Sequence, residues 1–366
     1  MTGKERFLTA LSNQKPDRLP CQVHSWMEYY LKTYLKGMDQ YQAYEYVDMD
    51  PVIYVGPVYQ FDRADEKNWV VKYTDYGKNK DGYDVFGYEY TTPDGVLRER
   101  YERNQYTGWN TERIVKDKKD MELFLKYYPL PSGADWTPVR EAKKRVGDKG
   151  IVRGCNYNYG QPGIWQCFTC LIDTEPAIFA AIDEPEWVHD VLRRLTEKNL
   201  KSIERIGEFE WDIIENGGGA ASSTVISPAM HREFCLPYDQ KIHAALKAAG
   251  PQKVVYHLCG GLMPLLETVA QNGADALETM TPPSMGGDCD MAEATRRVGK
   301  KLAFIGGLDQ NAGFEKGTKR NIEEQVARLH AACPDGGYIC SPSDHFFFGS
   351  PENVKMFAEA CKAAKY

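Results

Sequence analysis

The chain has 366 residues, with 45 lysines and arginines against 52 aspartates and glutamates, and a formal net charge of −7. This length allows a large core in one α/β barrel or two domains, and the acidic balance argues against a nucleic-acid-binding surface. No apolar stretch has the length of a membrane span, the charged start is unlike a secretory signal, and the ten scattered cysteines fit a reducing compartment, so we expect a cytoplasmic protein.

The first predicted elements are a helix over 2–13 and a short strand over 21–24, separated by the turn Pro16-Asp17-Arg18-Leu19-Pro20. A helical stretch around 38–47 then leads to a second strand over 52–55, which is rich in β-branched and aromatic residues. The N-terminal part therefore begins as alternating helices and strands.

The pattern changes in a segment of about 60–128, where apolar and polar residues alternate with a period of two. Turn sequences such as Lys80-Asp81-Gly82 and Pro93-Asp94-Gly95 separate the alternating runs. This pattern predicts an insertion of antiparallel β-hairpins. The insertion is interpreted either as a solvated flap or as a lid over the barrel mouth.

From about residue 150 onward, short apolar runs alternate with helical stretches. With the two early strands, this rhythm predicts a single domain over 1–366 with eight strands, centred near residues 21, 53, 152, 213, 255, 277, 304 and 339. Eight strands joined mostly by helices are typical of a (β/α)8 TIM barrel, whose functional residues lie where the strands end. A doubly wound open sheet is the alternative, although no Gly-x-Gly-x-x-Gly follows the first strand.

A histidine and a cysteine, His257 and Cys259, follow the predicted fifth strand and precede Gly260-Gly261. On an extended chain, residues two apart point to the same side, so both can bind one metal ion. Cys340 ends the predicted eighth strand, and strand ends meet on one face of a barrel. We therefore predict that these three residues bind one zinc ion with a fourth position open. The alternative is a buried, apolar cysteine beside a hydrogen-bonded histidine.

Two thiolate ligands would make this zinc a mild Lewis acid, which favours alkyl transfer at sulfur or an ether oxygen over hydrolysis. Glu278 and Glu215 are candidates for the fourth zinc position. The glycine run 217–219 predicts a close approach of another chain segment rather than a phosphate site. Further polar residues at predicted strand ends are His24, Asn156, Tyr157, Asn216 and Asp309.

Four stretches carry a resemblance to a known family: Pro16-Asp17-Arg18-Leu19-Pro20, Ser227-Pro228 with Leu236-Pro237-Tyr238, His257-Leu258-Cys259-Gly260 and Gly306-Gly307-Leu308-Asp309. Over nearly its whole length, the chain resembles the uroporphyrinogen decarboxylase superfamily. The His-x-Cys…Cys arrangement resembles its zinc-dependent corrinoid methyltransferases. The resemblance implies a TIM barrel, a zinc ion that binds the methyl donor or acceptor, and a separate cobalamin-carrying protein that docks at the barrel mouth.

The segment Ser25-Trp26-Met27-Glu28-Tyr29-Tyr30 departs from the decarboxylases, which carry an arginine there to hold a porphyrinogen's carboxylates. Tetrapyrrole decarboxylation is therefore disfavoured. The aromatic residues favour O-demethylation of a methoxylated aromatic compound, with Glu278 and Glu215 as catalytic candidates. Candidates for binding the substrate are His24, Trp26, Glu28, Asn156, Tyr157, Asn216 and His345.

Three alternatives remain open from the sequence. The first is a methyltransferase of the coenzyme M type, which passes methyl from cobalamin to a thiol. The second is a lyase of the uroporphyrinogen decarboxylase type, in which the cysteines are ordinary core residues. The third is a barrel that binds a small molecule without catalysis.

Overall fold

The computed structural model describes the whole chain, residues 1–366. Its strands are β1 (Val52–Tyr54), β2 (Val58–Phe61), β3 (Val70–Lys78), β4 (Asp84–Thr92), β5 (Gly95–Arg103), β6 (Gly108–Glu112), β7 (Pro131–Asp135), β8 (Ile151–Cys155), β9 (Ile213–Gly217), β10 (Lys253–His257), β11 (Ala276–Thr279), β12 (Ala303–Leu308) and β13 (Tyr338–Pro342).

Its helices are α1 (Gly3–Leu11), α2 (Glu28–Tyr34), α3 (Gln40–Tyr46), α4 (Arg63–Asn68), α5 (Lys118–Tyr127), α6 (Thr137–Val146), α7 (Ile164–Ile172), α8 (Thr174–Asp183), α9 (Pro185–Ile206), α10 (Pro228–Phe234), α11 (Leu236–Ala248), α12 (Leu266–Val269), α13 (Met291–Val298), α14 (Lys319–Ala332) and α15 (Pro351–Ala363). None of these helices combines the length and the apolar character needed to span a bilayer.

The chain divides into two compact units. The first, called the barrel unit, comprises residues 1–57, 136–156 and 209–366. The second, called the inserted unit, comprises residues 58–135 and 157–208. Sequence analysis predicted one domain with an insertion of about 60–128. The second unit is larger than that insertion, because it also contains the helices α7, α8 and α9.

The barrel unit is built on seven parallel strands in the order β1-β8-β9-β10-β11-β12-β13. Each strand lies beside the next strand of this unit along the chain, as in a TIM barrel and unlike a doubly wound sheet. An eighth segment, Cys21, forms a single parallel bridge with Cys340 of β13. The prediction of an α/β TIM-barrel fold is confirmed, and all eight predicted strand positions carry parallel pairing.

The first predicted strand is shorter than expected. Gln22 donates its N–H to the carbonyl of Cys340 at 3.0 Å, and Cys340 donates to the carbonyl of Pro20 at 2.9 Å. Pro20 has no N–H of its own, so it contributes only an acceptor to this pairing. The segment is therefore held at one edge of β13 by two hydrogen bonds instead of a full ladder.

The core of the barrel unit lies on both faces of the parallel sheet. Every residue of β9, β11, β12 and β13 is buried. Helices cover the outer face of a parallel sheet, which explains why these strands read as nearly continuous apolar runs. The few polar residues inside them, such as Glu215 and Glu278, are therefore exceptions that need a specific reason.

The inserted unit contains the predicted hairpins. Strands β3, β4, β5 and β6 form a four-stranded antiparallel sheet in chain order, and β2 pairs with β7 in a separate antiparallel ribbon. The turn between β4 and β5 holds Pro93-Asp94, and the loop between β3 and β4 holds Gly82 at a positive φ of 80°. The prediction that this segment forms a lid stays a prediction.

Candidate metal centre

Polar side chains gather where the strands of the barrel unit end. His257 is the last residue of β10, and its register partners are Glu278 on β11 and Gly217 on β9. Because neighbouring parallel strands are in register here, their terminal side chains lie side by side. The residues that meet are His24, Glu215, His257, Cys259, Glu278, Asp344 and His345.

Three overlapping groups in this cluster have the geometry of a metal site. In each group, one ligand atom from each of three residues lies within 4.8 Å of the others. The groups are His257–Cys259–Asp344, His24–Asp344–His345 and His24–Glu215–His257. The first group combines an imidazole, a thiol and a carboxylate, which are the three kinds of protein ligand that zinc uses.

Cys340 does not belong to any of these groups. Its sulfur lies within hydrogen-bonding reach of Cys361 on α15, which also contacts Cys21. The structure therefore does not bring Cys340 together with His257 and Cys259, as the sequence analysis expected. The predicted last strand ends at residue 340, whereas β13 continues to Pro342. The Cys340 side chain contacts Cys361 of helix α15.

Asp344 lies beside His257 and Cys259, where Cys340 was expected. It lies two residues after the end of β13, in a loop anchored by the preceding Ser343. The Ser343 N–H donates to Gln310 Oε1 at 3.0 Å and its hydroxyl donates to the Leu308 carbonyl at 3.0 Å. The sequence signal was present, since an acid beside His345 follows the last strand, but it was not used.

A buried cluster of ion pairs lies next to the candidate metal ligands and includes Glu215 and Glu278. Arg153 on β8 is fully buried and donates to Glu215 Oε2 at 2.7 Å and to Glu278 Oε1 at 2.9 Å. Tyr54 also donates to Glu215 Oε2, at 3.1 Å. Burial is the largest influence and raises the pKa of both glutamates, but the charges of Arg153 and of the nearby His24 and His257 together outweigh it. The pKa of Glu215 is lowered, and that of Glu278 falls well below its usual value. Both acids are therefore ionised at neutral pH.

Glu278 stands between two histidine rings. Its Oε1 lies 3.2 Å from His24 Nδ1, and its Oε2 lies 3.6 Å from His257 Nδ1. Both nitrogens are buried, and neither makes a hydrogen bond in the structure. Burial lowers the pKa of His257, but contacts with Cys259 and Glu278 overcome this and raise it well above the usual value. The site thus holds strong negative potential around imidazoles with incomplete partners.

The close approach predicted for the glycine run occurs at Gly219. A Cβ atom on Gly219 would lie 2.5 Å from Cys259 Sγ, a distance that real contacts do not tolerate. Only glycine leaves room for the sulfur at this position. The run therefore shapes the space around one ligand of the His257–Cys259–Asp344 group.

Of the predicted substrate-binding residues, His24 and His345 lie in the cluster, with ring centroids 4.5 Å apart. Trp26 packs its ring against Tyr44, with centroids at 5.6 Å, and against Phe346, with centroids at 5.9 Å. These contacts make Trp26 part of a packed group of aromatic rings, whose member Phe346 directly follows His345 in the chain.

The other predicted substrate-binding residues lie elsewhere. Asn216 points from β9 to the helix layer, where its Nδ2 lies 2.9 Å from His243 Nε2, because side chains alternate along a strand and Glu215 takes the opposite face. Glu28 is exposed on α2, with its Oε1 2.6 Å from Lys32 Nζ. These two positions correct the sequence prediction.

Asn156 and Tyr157 fall on either side of a unit boundary. Asn156 is buried in the barrel unit, where its N–H donates to the Glu215 carbonyl at 3.0 Å. Tyr157 belongs to the inserted unit, where its hydroxyl lies 3.1 Å from that of Tyr128. Asp309, at the end of β12, accepts a hydrogen bond from the N–H of Ala312.

A family model and the curated relatives of this chain point to the same family. The sequence model of the family "Uroporphyrinogen decarboxylase (URO-D)" matches residues 160–364. Uroporphyrinogen decarboxylase 2 of Oryza sativa is 28% identical over 192 residues, which cover 51% of this chain and 45% of the relative. The enzyme of Neisseria meningitidis serogroup A is 33% identical over 189 residues, which cover 46% of this chain and 48% of the relative. The chain thus spans about half the length of the curated relatives it matches.

A similar fold occurs in a solved structure, a methyltransferase from Methanosarcina mazei. The two chains superpose with a TM-score of 0.66 at 14% sequence identity, over 99% of each chain. At this identity the likeness establishes a shared fold.

Proposed function

The chain belongs to the uroporphyrinogen decarboxylase family, and within that family we propose that it is a zinc-dependent methyltransferase. It takes a methyl group from a methoxylated aromatic compound and passes it to the cobalt of a separate corrinoid protein. The observation that carries this proposal is the His257–Cys259–Asp344 group. Its imidazole, thiol and carboxylate suit zinc, and three protein ligands leave the fourth position to a substrate.

The kind of ligand favours an oxygen-bearing substrate. Asp344 offers a hard carboxylate oxygen at the position where sequence analysis expected a second soft thiolate. A harder set of ligands favours the binding of an ether oxygen over a thiol. When bound, zinc supplies Lewis acidity to that oxygen, and the corrinoid cofactor of the partner supplies the methyl acceptor.

The residues of the chain hold the ligands in place. Glu278 contacts the Nδ1 side of His24 and His257, which leaves Nε2 of each ring for a ligand bond. The buried Arg153 side chain holds the carboxylates of Glu215 and Glu278 by hydrogen bonds, which in turn fixes the carboxylate that contacts the two histidine rings. The aromatic ring of Trp26, packed between Tyr44 and Phe346, offers an apolar surface for a flat substrate.

Uroporphyrinogen decarboxylation is the second candidate, because the curated relatives carry that name. Its substrate is rich in carboxylates, which require cationic partners. Arg153, the cation that contacts this cluster, is already paired with Glu215 and Glu278. The segment 25–30 adds no arginine. The charges of the site therefore support a neutral substrate better than a polycarboxylate.

The test combines metal analysis with a methyl-transfer assay. We expect about one tightly held zinc per chain at this group, lost in Cys259→Ser and Asp344→Ala and kept in Cys340→Ala, which serves as the matched control. We also expect demethylation of 2-methoxyphenol with cob(I)alamin to give methylcobalamin, and both ligand variants to abolish it.

Four results would contradict the proposal. A protein without zinc, or a Cys340→Ala variant that loses zinc as Cys259→Ser does, would remove its basis. Methyl transfer from methylcobalamin to a thiol, without activity on methoxyphenols, would refute the choice of donor. Decarboxylation of a porphyrinogen would establish the second candidate in its place.

A further inference from the structure

The cluster contains more metal-ligand atoms than one ion needs. The His257–Cys259–Asp344 group uses one atom from each member, but His24 and His345 also lie within 4.8 Å of the Asp344 carboxylate. Two histidines and one carboxylate form a recognised set of ligands for divalent transition metals. The nitrogen atoms of His24 and His345 are therefore ligand atoms that a first ion would not use.

The side contacts of both histidines leave the same nitrogen available. His345 Nδ1 lies 2.9 Å from Ser25 Oγ. The Ser25 hydroxyl is positioned to donate onward to Met27 Sδ at 3.9 Å, which leaves its oxygen to accept from a protonated Nδ1. On the other ring, Glu278 Oε1 lies 3.2 Å from His24 Nδ1. In His345 a proton on Nδ1 leaves Nε2 unprotonated. In His24 the Glu278 carboxylate faces the Nδ1 side, so Nε2 of both rings is the nitrogen that can bind a cation.

Asp344 connects the two groups. It is the one residue shared by the His257–Cys259–Asp344 and His24–Asp344–His345 groups. A carboxylate has two oxygens and can bridge two cations about 3.5–4 Å apart, as in two-metal enzymes. The N–H of His345 donates to Asp344 Oδ1 at 2.7 Å, which fixes the carboxylate and leaves lone pairs on both oxygens.

The charges of the cluster also favour a second cation. Glu215, Glu278 and Asp344 are acids, and a metal-bound Cys259 adds a thiolate, against the single positive charge of Arg153. One divalent ion would therefore leave an excess of about one negative charge in a largely buried region. This remaining negative charge attracts a further cation.

We propose that His24, Asp344 and His345 form a second divalent-metal site, which shares the Asp344 carboxylate with the first. The second site rests on the proposed function only through that shared ligand. Its ligands are imidazole and carboxylate without sulfur, so it takes a harder ion than the site that contains Cys259.

Cobalt(II) is the probe, because a thiolate bound to it gives a charge-transfer band that imidazole and carboxylate do not give. The metal-free protein is loaded with cobalt(II) and desalted, and bound metal is counted by mass spectrometry. We expect about two ions in the native protein. His345→Ala should retain about one ion with the thiolate band, and Cys259→Ser about one ion without it. His189→Ala, which alters a histidine of none of the three groups, should retain both.

Several outcomes would overturn the second site. Binding of one ion that keeps the thiolate band, unchanged in His345→Ala, refutes it and leaves the proposed function intact. Binding of two ions, both retained in His345→Ala and in His24→Ala, refutes the assignment of its ligands. Absence of any tightly bound cobalt refutes both the second site and the metal of the proposed function. His345 is exposed, so its replacement should leave the fold unchanged, and circular dichroism checks this.

Discussion

Asp239→Asn should make the protein more resistant to unfolding at neutral and alkaline pH. Asp239 lies on α11, is 3% exposed, and has no hydrogen-bond partner for its Oδ2 atom. Burial raises its pKa from 3.8 to about 7, and a hydrogen bond from Tyr256 offsets only part of this. The carboxyl therefore stays protonated in the folded protein at pH values where the unfolded chain has released the proton.

The sign and size follow from proton linkage. A raised pKa means that the stability from the protonated carboxyl is complete below pH 3.8 and is lost as the pH rises through 7. The difference of about 3 pH units, at about 1.4 kcal/mol per unit, gives a loss of about 4 kcal/mol above pH 7. Asparagine cannot ionise and still offers Tyr256 an acceptor, but it leaves an amide N–H without a partner at about 1–2 kcal/mol. The expected net gain at pH 8 is about 2–3 kcal/mol.

The assay is urea unfolding of both proteins at pH 5, 6, 7, 8 and 9. The free energy of unfolding of Asp239→Asn minus that of the native protein should grow by about 3 kcal/mol between pH 5 and 7 and then level off. Glu359→Gln, at an exposed position of α15, is the matched control and should show no such trend. A difference that stays constant across this pH range would refute the reasoning.

Two further substitutions test the support of the metal centre. Arg153→Met should lower the free energy of unfolding in urea by about 3–5 kcal/mol, because it leaves two buried glutamates without their cation. A loss below about 1 kcal/mol would show that the ion cluster is not a structural support. Gly219→Ala should weaken zinc binding at least about 10-fold in a chelator competition, because the new methyl group meets Cys259 Sγ. Gly56→Ala is the control and should bind zinc as the native protein does, because its new methyl group meets no atom within 4 Å. Equal affinities would contradict this account of the glycine run.

The sequence was sufficient to predict the strands of the barrel but not which way each side chain points. Apolar runs bounded by turn residues located all eight strand positions, since burial on both faces leaves an unmistakable pattern. The face that a side chain takes depends on the phase of the alternation along the strand, which an apolar run buried on both faces does not reveal. Separately, an error of two residues at the end of a strand changes which residue is terminal. Cys340 was mistaken for a strand end for this reason, and Asn216 was assigned to the site although Glu215 beside it takes the inward face.

Residues whose role depends on distant partners were the ones missed. Arg153 lies in a short apolar run, and nothing local indicates that it meets two acids from strands more than 60 residues away. The second half of the inserted unit, residues 157–208, is helical, so its sequence pattern resembles the helices of the barrel. Local patterns carry no information on which compact unit a helix joins.

The candidate metal ligands His257 and Asp344 lie in different kinds of structure, one on a strand and the other in a loop. His257 is fixed by the β10 ladder and by Glu278, whose carboxylate is itself held by the buried Arg153. Asp344 comes from a loop whose anchor ends one residue earlier, at Ser343. A nitrogen donor on a rigid strand fixes the position of an ion, while an oxygen donor on a loop can change how it binds when substrate enters. In the proposed zinc site, Asp344 is therefore the ligand that can adjust its binding when a substrate takes the fourth position.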